Sequence, residues 1–354
     1  MARAQAKHTP EEWVEIGRAA LLDLLVDRRV VPWPEAEGRI SFRGWKNFEP
    51  VQPLQLNRAR RALVDEGLIV AESTEHQLPV TTVRLPFEAG GKRELERVRG
   101  KRRKDYRRYI AWAQDGTLCG KHAERVVLES ASAVASEAGL WVPPQRIGEL
   151  QEVNGVVLSR GPLDVLVHVL AVPEPRADAA LVIEVKNIHS WVYPWTAELW
   201  ELLVKAAELA EETDVLPLLV CVRAAYQTNQ LAKDIGFFAC YLGSQLFNPD
   251  IDPGEFQAMV DEFGFAIIRH EGPHDAVATY LTRTLRRTPP MSPPEEDIPW
   301  YRRQVRRFKE LAPVILRYQT LADGALEGQA RSATFKAFRS DVHSASTWPA
   351  VGGW

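Results

Sequence analysis

Three charged residues interrupt stretches that otherwise read as buried strands. Asp164 opens the run Val165-Leu166-Val167, and Glu184 and Lys186 fall within Leu181-Val182-Ile183-Glu184-Val185-Lys186. Short runs rich in Val, Leu and Ile, bounded by residues such as Gly161 and Pro162, are the pattern of an interior strand in a covered sheet. Residues two apart on a strand share a face, so Glu184 and Lys186 project together while Ile183 and Val185 turn into the core. A lone charge in an apolar interior costs on the order of several kcal/mol, and such groups persist when paired or bound to a metal. Asp164 could complete a cluster with them. The plainer alternative is a structural salt bridge between Glu184 and Lys186 at a strand end.

A carboxylate pair beside an ammonium suits phosphodiester hydrolysis. That reaction needs charge stabilisation on an anionic phosphorus and an activated water, which hard divalent cations on oxygen ligands supply. Asp164, an interval of about twenty residues and then Glu184-x-Lys186 resembles the PD-(D/E)xK nuclease motif. Leu163 separates Pro162 from Asp164, so the literal Pro-Asp pair is absent, although the Asp is the member that carries chemistry. The resemblance covers residues 117–248. It implies Mg2+, with Mn2+ as a substitute, held by Asp164, Glu184 and the backbone carbonyl of Val185. Lys186 would then touch the attacking water or the scissile phosphate. Glu124, in the helix opening Gly120-Lys121-His122-Ala123-Glu124, becomes the first-helix carboxylate that helps hold a metal or a water. Its other reading is a surface glutamate. Asn187 and Gln151 line the same face in structural or substrate-orienting roles.

Elements that would position these groups follow from periodicity. The patterning predicts a helix over 120–138, strands over 146–153, 163–170 and 180–186, a helix over 196–211, a strand over 216–222, a helix over 226–235 and a strand over 237–242. That order is similar to the restriction-endonuclease-like core, a mixed sheet flanked by helices. A helix over 253–263, a strand over 266–269 and a helix over 274–287 come next. The Pro-rich break Pro289–Pro294 then precedes a basic helix over 300–318, and the tail after Leu321 reads as mobile. The aromatics Trp191, Tyr193, Trp195 and Trp200 could stack on bases of an opened strand, but packing between helix and sheet is the favoured reading.

Ahead of this region, Thr9-Pro10-Glu11-Glu12 predicts a capped helix start. Trp13, Ile16, Ala20, Leu21 and Leu24 form the buried stripe of that helix, which runs to about Val26. Residues 32–53 are too rich in Pro and Gly to assign. A second helix from Leu54, carrying Leu56, Ala59 and Leu63, ends at Gly67. Strands over 68–71 and 80–85 flank a polar turn at 73–77. Helix, glycine, strand, turn, strand resembles the second half of a winged helix-turn-helix. The fold expected is thus α/β, a restriction-endonuclease-like mixed sheet flanked by helices and preceded by a small winged-helix-like α+β domain. On this reading Gln55, Asn57, Arg58, Arg60 and Arg61 face a DNA groove. An interaction module with a solvated Arg face fits equally well.

Residues 92–108 hold ten basic and three acidic residues, a local charge of about +7. They read as a helical connector continuing to Trp112, with Lys101, Arg102, Arg103, Lys104, Arg107 and Arg108 as phosphate contacts. The expected organisation is a DNA-binding or interaction domain over 1–88, the connector over 89–116, a nuclease domain over 117–288 and a C-terminal extension over 289–354.

The whole chain of 354 residues has a net charge of only -3, with 45% hydrophobic and 26% charged residues, so total charge selects no partner. Cys119, Cys221 and Cys240 are too few and scattered for a disulfide framework or a zinc cluster, and His122, His168 and His189 form no ligand set. The start at Met1–Pro10 lacks the apolar core of a secretory signal, and no run reaches membrane-span length. A cytoplasmic location follows. Phosphate loop, dinucleotide fingerprint and nucleophile elbow are all missing. The expected protein is a Mg2+-dependent DNA endonuclease acting in restriction or defence. A repair or recombination nuclease is second, and a DNA-binding or assembly scaffold without activity is the rival. Because a double-strand break needs two sites, a homodimer or partner subunits of a defence system are expected.

Overall fold

Thr9 caps the first helix as its sequence dictates: the Glu12 N–H donates to Thr9 Oγ1 at 3.2 Å and the Thr9 N–H to Glu12 Oε2 at 2.6 Å. The structure is a computed structural model that describes residues 8–42, 44–72, 81–86, 91–170, 177–286, 300–323, 326 and 328–345. It is a mixed α/β protein of two units, Met1–Asp115 with Ile251–Ile267, and Gly116–Asp250 with Ile268–Trp354. Among the described residues no helix is long and apolar enough to cross a membrane.

The first unit comprises α1 (Pro10–Arg28), β1 (Val30–Pro32), α2 (Trp33–Ala36) with a π-helical turn at Glu37–Phe42, α3 (Pro53–Asp65), β2 (Val70–Glu72), β3 (Thr82–Arg84) and α4 (Lys92–Gln114). β3 lies between β1 and β2, antiparallel to both, with Val83 opposite Val31 and Ala71. Leu21, Leu24, Val31, Ile40, Leu56, Leu63 and Val83 close a core over the sheet. Gly67 ends α3 with φ +71, the left-handed position of a Schellman cap, where the Leu68 N–H donates to Leu63 O and the Gly67 N–H to Val64 O, both at 3.0 Å. α2 and the π-turn open the stretch 32–53, whose Pro and Gly content hides its elements from periodicity. The predicted turn at Ser73–Gln77 lies outside the described residues.

The basic helix α4 is more than a connector. Its Leu95, Arg102, Tyr106 and Tyr109 are buried, and Tyr106 and Tyr109 pack edge-on or tilted against Phe263 and Phe265. The helix Pro253–Phe263, expected in the nuclease domain, therefore completes the core of the first unit instead. Aromatic contact, invisible to sequence spacing, decides that assignment.

The second unit is built on a five-stranded sheet in the order β10-β9-β8-β7-β4, comprising β4 (Leu140–Trp141), β7 (Val165–Leu170), β8 (Ala177–Lys186), β9 (Val215–Cys221) and β10 (Phe238–Tyr241). β4, β7 and β8 pair antiparallel, whereas β8, β9 and β10 pair parallel. The helices α5 (Gly120–Ala133), with the short α6 (Ala135–Ala138), and α7 (Ala197–Leu209) and α8 (Tyr226–Ile235) alternate with these strands. Leu181, Ile183 and Val185 of β8 pack with Val126 and Val127 of α5 and with Val277 and Leu281 of α9 (Asp275–Arg286). Ala180 and Val182 face the opposite way, toward Leu202 and Leu203 of α7 and Phe308 of α10 (Trp300–Arg317).

Two expectations are corrected here. Residues 146–153 do not form a sheet strand. Gln145 holds that segment to β7 with its side chain, its Nε2 donating to Leu166 O at 2.7 Å and its Oε1 accepting from the Leu166 N–H at 2.9 Å. Leu150 forms one isolated antiparallel bridge to Leu163, and Glu152–Val153 (β5) pairs in a hairpin with Val156–Val157 (β6) across Asn154 and Gly155, both at positive φ. The chain after Leu321 is also not a mobile tail throughout. α11 (Gly328–Ala345) inserts Phe335, Phe338 and Val342 into the core, with Phe338 edge-on to the fully buried Trp200 at 4.7 Å. Residues 289–294 and 346–354 lie outside the described residues.

Candidate active site

Asp164 and Glu184 meet because of strand register. Val165 faces Ile183 across the antiparallel β7–β8 ladder, so the preceding residue on one strand and the following one on the other become neighbours. The Val185 N–H then donates to Asp164 Oδ2 at 2.6 Å. Glu184 is 2% exposed and accepts two ammonium groups. Lys186 Nζ lies 2.9 Å from Glu184 Oε1, and Lys205 Nζ lies 3.0 Å from Glu184 Oε2. Lys186 also reaches Glu201 Oε2 at 2.9 Å, while Lys205 donates to Pro162 O at 2.8 Å.

Sequence reasoning missed Glu201 and Lys205. They lie four residues apart on α7, which puts both on one helical face toward the polar face of β8. A signal was present: Lys205 interrupts Leu202-Leu203-Val204-Lys205-Ala206-Ala207, the same anomaly of charge in an apolar run that marks β8. Period-2 reasoning found the strand pair. The helix partner required knowing which helix covers that face.

Charge at this rim is unbalanced. Glu184 and Glu201 contact Lys186, and Glu184 also contacts Lys205, while the carboxylates of Glu124 and Asp164 feel these charges from further away. Burial, then repulsion from Glu184 and Glu124, pushes the Asp164 carboxyl up to about 7. Burial and Glu184 also raise Glu124, whose carboxylate makes no hydrogen bond or ion pair among the described residues. Burial alone would lower the Lys186 ammonium, but Glu184 and Glu201 outweigh it and hold the group charged.

On charge alone the excess of carboxylates over lysines would suit a hard divalent cation, but both Glu184 oxygens are held by lysine ammoniums here. Asp164, Glu184 and the Val185 carbonyl are the groups that would hold it, with Glu124 beside them. Among the described residues no three His, Cys, Asp or Glu side chains are gathered into a cage. Two carboxylates and a carbonyl form a thinner set, of the kind that leaves most of the shell to water.

Other expected residues have other roles. Asn187 is buried and structural, its Nδ2 donating to Leu246 O at 2.6 Å and to Cys119 O at 3.1 Å. Gln151 is exposed beside the β5–β6 hairpin. Trp200 donates from Nε1 to Pro194 O at 3.0 Å and belongs to the core, while Tyr193 and Trp195 stack on each other with centroids 5.1 Å apart. His168 stacks on Trp141 of the edge strand.

In the first unit Arg58 and Arg61 are exposed on α3, whereas Arg60 is half-buried over the Trp33 ring at 4.8 Å and donates to Asn57 Oδ1 at 2.8 Å. On α4, Lys101, Lys104, Arg107 and Arg108 are exposed and Arg103 is half-buried. Arg102 is corrected: it is 4% exposed and donates to Glu35 Oε2 at 2.6 Å, so a phosphate has no access to it. Helical geometry turns this residue inward among outward-facing neighbours. Arg93, Arg97, Lys101, Lys104 and Arg108 recur every three or four residues on the exposed side, opposite the buried Leu95, Arg102 and Tyr106.

No family model matches this chain, and no curated protein or solved structure is significantly similar to it.

Proposed function

We propose that the protein is a metal-dependent endodeoxyribonuclease of the PD-(D/E)xK kind. One observation carries the reading: Asp164 and the Glu184-x-Lys186 pair, twenty residues apart, share one rim of a mixed sheet, joined by the bond from the Val185 N–H to Asp164. With β4 in place of the strand expected over 146–153, and with the β5–β6 hairpin outside the main sheet, the order α5, β4, β7, β8, α7 and β9 supports a restriction-endonuclease-like core. In the first unit, the order α1-β1-α2-α3-β2-β3 with β3 central supports a winged-helix-like module, in which α3 offers Arg58 and Arg61 to a groove.

Asp164 and Glu184, with the Val185 carbonyl, would hold Mg2+ or Mn2+. When bound, the cation neutralises charge on the scissile phosphate and acidifies water. Glu184 and Glu201 favour the charged form of Lys186, which supports a role as a donor that orients water or binds a phosphate oxygen. Glu124 accepts a proton or a hydrogen bond from water at the same rim. The exposed row on α4 binds the DNA backbone without reading sequence. Action in the cytoplasm, in defence against foreign DNA and as a homodimer or with partner subunits completes the proposal.

Cleavage of supercoiled plasmid in Mg2+ tests it. Wild-type protein is expected to nick or linearise the DNA, while Asp164→Asn and Lys186→Ala lose at least about a hundredfold in rate and keep DNA binding. Equal cleavage by wild type and both variants would overturn the assignment. A second reading, a DNA-binding scaffold without activity, is favoured by the engagement of both Glu184 oxygens with lysines. It predicts binding without cleavage in any divalent metal.

A further inference from the structure

The charge chain Glu201–Lys186–Glu184–Lys205 has unequal ends. Lys205 is 3% exposed, and its ammonium is held between Glu184 Oε2 and the Pro162 carbonyl at 3.0 and 2.8 Å. Glu201 stands at the rim with 36% of its side chain exposed, and it touches Lys186 at 2.9 Å. Lys186 lies between the two carboxylates and is 17% exposed. Glu184 thus carries one cation buried in the fold and a second that shares its charge with Glu201.

We infer that Glu201 and Lys205 are positioning residues that set, with opposite signs, how tightly the rim of Asp164 and Glu184 grips a divalent cation. The inference rests on the metal-dependent reading above. Lys205 offsets half of the charge that Glu184 can offer, so removing its charge frees Oε2 and deepens the negative potential. Glu201 draws Lys186 away from Glu184, so neutralising it leaves Lys186 on Glu184 and makes the potential shallower. Both substitutions act within a few ångströms in a poorly solvated place, where a unit charge weighs heavily on a divalent ion. Damage to the fold alone would weaken cation binding in both cases.

The chain of 354 residues titrated with Mn2+, with free ion followed by electron paramagnetic resonance, separates these outcomes. Lys205→Gln keeps a donor for Pro162 and is expected to bind Mn2+ at least about tenfold more tightly than wild type, while Glu201→Gln binds at least about tenfold more weakly. Glu198→Gln, one turn earlier on the same helix, is the control expected to leave affinity unchanged. Weakening by both variants, or an effect of Glu198→Gln equal to that of Glu201→Gln, overturns the inference. If Lys205→Gln does not unfold cooperatively, Glu201→Gln against the Glu198→Gln control decides alone, because rim exposure spares its fold. A wild type that binds no Mn2+ overturns the metal reading itself, and the two failures are thereby distinct.

Discussion

Val185 donates its backbone N–H to the carboxylate of Asp164 at 2.6 Å, so the strand that carries Glu184 and Lys186 also fixes the third charged group of the site. The bond orients Asp164 and lowers its proton affinity, yet burial and two nearby glutamates win and leave the carboxyl at about 7.

An amide in place of that carboxylate keeps an acceptor for Val185 and removes the repulsion. A carboxyl raised from its ordinary 3.8 to about 7 binds more protons folded than unfolded, so its contribution to stability falls as pH rises through that window. Asp164→Asn is expected to melt above wild type at pH 8 in chelator, with the gap closing toward pH 4. Adding Mg2+ should raise the wild-type melting temperature and leave the variant's unchanged. Lower stability of the variant at pH 8 would show that Asp164 is stabilised, not strained, by its neighbours.

Arg102 and Lys104 are two residues apart on α4 and should respond oppositely. Arg102→Ala removes one of the two arginines that bind the fully buried Glu35, and at pH 8, where that carboxyl is ionised, it should cost roughly 3–5 kcal/mol in denaturant unfolding of the first unit. Lys104→Ala should change stability by less than about 0.5 kcal/mol but reduce the salt slope of DNA binding by about 1. A normal slope in Lys104→Ala would return α4 to a solvated face.

Glu35 also receives Arg39 Nε at 2.9 Å, but burial outweighs both arginines and raises its carboxyl from 4.5 to about 7. Its folded form therefore holds a proton that the unfolded chain releases between those values, and stability is lost as pH rises across them. Relative to wild type, Glu35→Gln should gain stability between pH 4 and pH 8, by on the order of 3 kcal/mol. A relative loss over the same range would mean that the arginines dominate and the carboxylate is ionised throughout.

Gly236 ends α8 at φ +85 with α10 pressed against it. A Cβ there would stand 2.5 Å from the Gln304 carbonyl and 2.9 Å from the Phe308 nitrogen, both backbone atoms that cannot swing away. Gly236→Ala should destabilise the second unit by more than about 2 kcal/mol, through the contact and the left-handed backbone together. Thermal melting near the wild-type value would require α10 to be loosely attached.

Trp200 and Phe338 meet edge-on in the core, so the last described helix is structural. Ending the chain after residue 326 should expose Trp200 and redden its fluorescence, and Phe338→Ala should cost roughly 3–5 kcal/mol. Unchanged emission from the truncated chain would contradict that packing.

What the sequence determined on its own was local. Alternation placed Glu184 and Lys186 on one face and Ile183 and Val185 on the other, Thr9 and Glu12 specified their own cap, and Gly67 its own helix end. These outcomes depend on neighbours within a few residues, where strand and helix periods are fixed by backbone geometry. Tertiary structure decided what depends on partners remote in the chain. It turned Arg102 inward to Glu35, took 253–263 into the first unit through Phe263 and Phe265, and replaced a predicted strand by the side chain of Gln145 and a single bridge from Leu150 to Leu163. It also brought Glu201 and Lys205 onto Glu184, because the covering helix must offset charges that the strand buries and nothing within the strand can neutralise fully.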